Sequence, residues 1–249
     1  MVERSGANKL VPVRTRQTTF AEITIQQYVD TLLPRELPKS NGKEDNAIKQ
    51  RVILIQGRQE SGKSNTARII AQCLRQHYAS GDVSVDVVPG EDFQFLFDSK
   101  WSHKPIQVKL IEDITDVKIS DIVARDFFRI RHVMAARTGR RDGLCVLIFT
   151  LHSFYDMPIS FRRDYDSLII QSLPMGKSDL KFVEENITYE GVRVLQEAEA
   201  KDRIGIAVVT VRHHLRAIIH VPKATEKHRI DVVLEKLRLP FNFMKPRFP

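Results

Sequence analysis

Gly57-Arg58-Gln59-Glu60-Ser61-Gly62-Lys63-Ser64 sets two glycines, a lysine and a hydroxyl at the spacing that holds phosphate. Gly57 and Gly62 allow backbone angles that a side chain forbids, so successive amide N–H groups can turn inward toward phosphate oxygens. Lys63 brings a point positive charge to the β and γ phosphates, and the Ser64 hydroxyl suits Mg²⁺. With Asn65, residues 57–65 make up the expected nucleotide-binding set. Such a loop needs a strand before it and a helix after it. Residues 51–56 read as an apolar strand, and the helical pattern that begins near Lys63 would present its unpaired N–H groups to the same phosphates. The bland account, a glycine-containing turn with a chance lysine, does not explain those flanks. ATP or GTP binding follows.

Two acids stand at the end of a second apolar run. Residues 106–111 read as a strand that closes in Glu112-Asp113. In a chain with a phosphate loop, acids at the C-terminal end of a buried strand are suited to hold Mg²⁺ through water and to polarise an attacking water. One is expected on the metal and the other on the water, in either order. A solvated turn is the alternative for adjacent acids.

The elements that must carry these residues follow in order. After the loop, residues 66–78 form a helix with Ala67, Ile70, Cys73 and Leu74 on one side, and 83–88 is a strand. Residues 91–101 are aromatic and helical, with Phe93, Phe95, Phe97 and Trp101 read as packing because Glu91, Asp92 and Asp98 are interleaved. A long helix is expected over 119–137. The nearly continuous apolar run 144–150 suits a central parallel strand covered on both faces, and it ends in Thr150-Leu151-His152-Ser153. A short strand over 167–172 follows, then a helix over 177–203 with an irregularity near Thr188 and Gly191. Residues 205–211 and 215–221 make a hairpin or bent pair around Arg212-His213-His214, where two adjacent histidines read as a turn rather than a metal site.

Before the core, 1–18 is a polar arm with Arg4, Lys9, Arg14 and Arg16, and 20–33 has helical spacing with Thr18 or Thr19 as its cap and Pro34 as its stop. The predicted architecture is α/β, a three-layer sandwich on a mostly parallel central sheet with a C-terminal β-hairpin at its edge. Its parts are an N-terminal arm and helix over 1–48, the nucleotide-binding core over 49–222, and a tail over 223–249. The tail has seven Lys and Arg against three Asp and Glu and is broken by prolines. It either folds back on its own domain or docks on a neighbouring subunit.

The chain of 249 residues is 42% hydrophobic and 28% charged, enough apolar content for a substantial core. No apolar run is long enough to span a bilayer, and the N-terminus lacks the apolar centre of a secretory signal, so a cytoplasmic protein is expected. Cys73 and Cys145 suit buried thiols. The net charge of +8 permits a polyanionic partner without naming one.

The succession of phosphate loop, strand ending in Glu112-Asp113, Arg131-His132, apolar strand ending Thr150-Leu151-His152, then Pro158, Arg162 and Asp166 resembles the DNA-pumping branch of P-loop ATPases, the FtsK/HerA superfamily. The pattern is most similar to the genome-packaging ATPases of poxviruses and membrane-containing archaeal viruses, and it covers about residues 51–172. A Gln common at the strand end in these translocases is absent here, where Thr150 or His152 takes its place. The resemblance implies Mg²⁺-dependent ATP hydrolysis coupled to translocation or packaging of double-stranded DNA by a homo-oligomeric ring, a pentamer or hexamer. Lys63 and Ser64 would serve phosphate and metal, Glu112 and Asp113 metal and water, and Thr150 or His152 would report the γ phosphate. An arginine from a neighbouring subunit would come from among Arg129, Arg131, Arg137, Arg140, Arg141, Arg162 and Arg163, with Arg131 and Arg162 favoured. Arg137, Arg140, Arg141 and the tail cations are the candidates for DNA phosphates. The resemblance also implies a capsid or other protein partner and a virus-infected archaeal cell as a setting. A small nucleotide-dependent kinase, for which Arg137 to Arg141 leaves room, and a regulatory or scaffolding ATPase acting on a protein partner are the two rival readings.

Overall fold

The unbroken apolar run decides where the centre of the sheet lies. Leu144–Leu151 forms β5 with all eight residues buried, as a strand covered on both faces must be. β2 (Lys49–Gln56) pairs with it in parallel along its whole length, from Lys49 opposite Leu144 to Gln56 opposite Leu151. β6 (Ser167–Ile170) lies parallel on the outer side of β2. On the other side of β5 come β4 (Ile106–Ile114) and then β3 (Val83–Pro89), both parallel. Beyond β6 the sheet continues through the antiparallel hairpin β7 (Ile206–Val211) and β8 (Leu215–His220), with β1 (Ala21–Ile23) parallel on β8. The order is β1-β8-β7-β6-β2-β5-β4-β3, and β7 alone of these eight runs against the rest. This is the mostly parallel α/β sheet with a hairpin toward one edge that the sequence implied.

The computed structural model describes residues 21–37, 47–90, 101–114, 129–157, 164–174, 176–200, 205–211 and 215–221. The basic arm over 1–18, Phe93, Phe95 and Phe97, the first part of the helix expected over 119–137, Pro158, Arg162, Arg163, His213, His214 and the tail from 223 lie outside them.

Alternation along the strands sends side chains to two faces, and each face carries helices. Ile53 and Ile55 join Tyr28, Val29, Ile70 and Leu74, the inward residues of α1 (Ile25–Leu32) and α2 (Lys63–His77). Val52, Leu54 and Phe149 join Met134, Val183, Ile187 and Leu195 on the opposite face, from α3 (Ile130–Thr138) and α4 (Lys177–Ala200). Three layers result. α4 runs unbroken through Thr188 and Gly191, where the sequence suggested an irregularity. A Cβ at Gly191 would stand 3.3 Å from Val208 Cγ1, so that glycine serves close helix-to-strand packing rather than a break.

The N-terminal segment departs from its expected form. Residues 21–23 pair with β8 as a strand, and the helix starts only at Ile25. Thr24 caps it in place of Thr18 or Thr19: its Oγ1 accepts the Gln27 N–H at 3.1 Å, and its own N–H donates to Gln27 Oε1 at 2.8 Å. This reciprocal pair satisfies two orphan donors, and the Thr24-x-x-Gln27 spacing carried the signal. α1 is tied to α2 by His77 Nδ1 at 2.8 Å from Asp30 Oδ1, and the hydrogen bonds from Gln26 and His77 hold the Asp30 carboxyl below the usual carboxylate range. Thr24→Ala should therefore cost about 1 kcal/mol, read as a lower urea midpoint with an unchanged slope.

Candidate active site

The C-terminal ends of β2, β5 and β4 fall side by side, so Gln56, Leu151 and the acids of β4 share one edge of the sheet. The loop leaves β2 with the ladder still intact, Gly57 N–H donating to Leu151 O at 3.2 Å. It re-enters as α2 through Gly62, whose φ of +91° is a left-handed conformation that glycine adopts without strain. Lys63, the first residue of α2, is buried. Its Nζ donates to the Arg58 carbonyl at 2.9 Å and lies 3.4 Å from His152 Nδ1. An ammonium has only donors, so Nδ1 faces it as the acceptor and Nε2 carries the ring proton. That second nitrogen is 3.6 Å from Asp113 Oδ1. Burial pushes the Lys63 ammonium below its ordinary value, against the pull of Asp113.

The two acids sit inside β4 rather than beyond it. Ile111 pairs with Phe149 and Ile114 with Leu151, so β4 spends one residue more than β5 over this step. The extra residue is a bulge, which re-aims side chains. Asp113 takes the strained angle, φ +53°, and its N–H is captured by the buried Thr150 hydroxyl at 2.8 Å. Asp113 thereby turns toward His152 and Lys63. Glu112 turns toward α2 instead, where Arg68 Nη2 lies 2.9 Å from Oε1 and from Oε2. Burial raises the Glu112 carboxyl above its ordinary value, Arg68 draws it down, and Asp113 adds to the rise.

Lys63, Asp113, Thr150 and His152 thus converge, with Glu112 beside them but paired elsewhere. Arg58, Gln59 and Glu60 are exposed, and Glu60 has φ +61°. The Arg58 side chain points away from the mouth, to Leu173 O at 2.9 Å and Glu199 Oε2 at 3.5 Å. Ser64 and Asn65 occupy the first turn of α2. Arg131 is exposed and lines a cavity of about 390 Å³ with Lys49, Arg51, Asp164 and Asp166. That cavity borders the start of β2, the opposite end of the strand from the loop. At about 3.3 Å per residue the strand's eight residues span roughly 25 Å. His132 is exposed on α3. Arg162 lies outside the described residues. Both cysteines are buried, and burial pushes the Cys145 thiol up to about 12 and the Cys73 thiol up to about 11.

Three contributors escaped the sequence reading. Gln56, fully buried, donates its amide to His152 O at 3.2 Å; a polar residue closing an apolar strand was its only signal. Gln171 donates to Thr66 Oγ1 at the base of the loop helix. Arg68 had no signal beyond being four residues after Ser64 on one helix. Among the described residues no three His, Cys, Asp or Glu side chains gather into a metal cage. Mg²⁺ does not need one, since it takes one or two carboxylates together with substrate phosphates and water. The Ser64 hydroxyl and the two carboxylates of the bulge are a donor set of that kind.

Replacing Thr150 by Val removes the acceptor for the Asp113 N–H while keeping the shape. The expected loss is about 1–3 kcal/mol of unfolding free energy, with Thr150→Ser retaining most of it, as denaturant titration will read.

Neither a family-wide sequence profile nor a curated protein sequence matches the chain. Among solved structures, the genome-packaging NTPase B204 of Sulfolobus turreted icosahedral virus 2, in complex with ATPγS, superposes with a TM-score of 0.51 at 14% identity, covering 70% of this chain and 98% of that one. B204 of Sulfolobus turreted icosahedral virus, described as a DNA-packaging ATPase, gives 0.48 at 15% identity over 70% and 98%. EssC, ATPases 2 and 3, from Geobacillus thermodenitrificans gives 0.45 at 13% over 76% and 43%. At such identity the first superposition speaks to architecture: the chain has the α/β P-loop fold of that viral packaging NTPase.

Proposed function

We propose that this chain is a Mg²⁺-dependent ATPase that couples hydrolysis to packaging or translocation of double-stranded DNA, working as a homo-oligomeric ring of five or six subunits. The observation that carries the reading is the meeting of the Lys63 ammonium with Asp113, Thr150 and His152 at the end of a parallel sheet. The fold shared with a viral packaging NTPase supports the DNA-directed part. We take 49–222 as the ATPase core, flanked by the arm and helix over 1–48 and the basic tail.

In this reading the backbone amides of residues 57–65 orient the phosphates, and Lys63 neutralises charge on the β and γ oxygens. Lys63 exchanges its bond to the Arg58 carbonyl for the phosphate. Ser64 with Glu112 would hold Mg²⁺, which would supply positive charge to offset the negative charge that develops on the phosphates. Ser64 and Arg68 stand four residues apart on one face of α2, so Glu112, which Arg68 holds, serves the Ser64 side and the metal. Asp113, beside His152, orients the attacking water, and His152 with Thr150 registers the γ phosphate. Arg131, exposed at the far end of the sheet from its own loop, acts on a neighbour's site, with Arg162 as the other candidate. Such an arginine is worth roughly 10³ to 10⁵ in rate. Arg137 and Arg141, exposed at the end of α3, and the tail cations contact DNA phosphates; Arg140 is held by Asp142 at 2.7 Å.

ATP turnover is expected to rise with long duplex DNA and to fall steeply in salt, since phosphate contacts release counterions. Lys63→Ala should abolish it, and mass measurement in ATP should give a ring. Equal turnover with and without DNA across a salt series would remove the translocase assignment, and no Lys63-dependent turnover would remove the ATPase.

A further inference from the structure

Glu112 and Asp113 are neighbours in sequence, yet they meet different partners. The bulge gives Asp113 to His152 at 3.6 Å, and Arg68 takes Glu112 at 2.9 Å. The second pair is mostly withdrawn from water, with side-chain exposures of 11% for Arg68 and 18% for Glu112, whereas Asp113 is 58% exposed. Arg68 grows from the helix that begins at Lys63, four residues after Ser64. We propose that Arg68 is a positioning residue for hydrolysis, fixing the Glu112 carboxylate on the Ser64 side of the mouth so that the two acids hold separate tasks.

A carboxylate buried beside α2 keeps one orientation only while a cation holds it. Without Arg68, Glu112 is an uncompensated charge and swings out toward water or toward Asp113, a like charge. The contact is made by one nitrogen, Nη2, to both carboxylate oxygens. A single ammonium can reproduce such a contact, which it cannot do for a two-nitrogen fork. Lysine at this position is therefore the rescuing variant. Among the described residues the polar partner of Arg68 is Glu112, and nucleotide affinity is assigned to Lys63 and the amides.

This inference rests on the ATPase reading, and kinetics of the full chain separate the two. Arg68→Ala should lower kcat about 10- to 100-fold, the scale on which losing a partner that orients a ligand carboxylate acts, with KM for ATP within about twofold of wild type, as expected when an interaction acts in the transition state. Binding of a fluorescent ADP analogue in EDTA should stay within about twofold. Arg68→Lys should restore at least about a third of kcat. In an Glu112→Gln background, Arg68→Ala should have no further effect on kcat, because residues acting as a unit are not additive. Arg68→Gln replaces the alanine variant if circular dichroism shows that it has not folded. A wild-type kcat in Arg68→Ala would overturn the proposal while leaving the ATPase standing, as would a parallel loss of analogue binding or an undiminished effect in the Glu112→Gln background. Absence of Lys63-dependent turnover in the wild type would overturn both.

Discussion

Parallel pairing of β4, β5 and β2 is the constraint from which the site follows. Strands that run the same way end on the same edge, so three segments far apart in sequence deliver Asp113, His152 and the phosphate loop to one mouth. β5 pairs with both neighbours from Leu144 onward, and that shared register sets the height at which each functional side chain emerges. A slip by one residue in β5 would send His152 to a different level and turn Thr150 to the opposite face.

Upon that frame one local irregularity sends the two acids to different partners. The extra residue in β4 breaks the alternation that would otherwise fix the two acids by strand geometry alone, and the Thr150 hydroxyl stabilises the break. The ion pairs around it are unequal in weight. Arg58 and Glu199 meet at 3.5 Å with side chains 48% and 34% exposed, a setting in which such pairs are worth about 0–1 kcal/mol. Arg68 and Glu112 are far more enclosed, and losing one partner of an enclosed pair costs several kcal/mol, on the order of 3–5. Glu112 is therefore held firmly, while the Arg58 contact can shift at little cost.

Much of this was legible in the residues. The loop and the apolar strands from residue 51 onward follow from glycine spacing and apolar runs, all local signals. Glu112-Asp113 could be located but not ordered, because the bulge depends on Thr150, a residue 37 positions away whose hydroxyl pairs across the sheet. Arg68 was invisible for the same reason: an arginine on a helix is ordinarily a solvated face, and only the approach of β4 makes it a partner. The helix expected from residue 20 began later because β8, nearly 200 residues on, supplies a strand partner for Ala21–Ile23. What stayed hidden was in each case a contact between distant segments.

The outward turn of Arg58 has an electrostatic consequence. Its charge is cancelled at Glu199, and that of Arg68 at Glu112, while Lys63 and Asp113 oppose one another across His152. Summed over these six side chains, the formal charge is zero, and the exposed Glu60 of the loop adds one negative charge. A polyanion entering it is drawn by oriented amide dipoles and by whatever counter-ion it carries in, so attraction there is short-ranged and directional rather than a broad positive well.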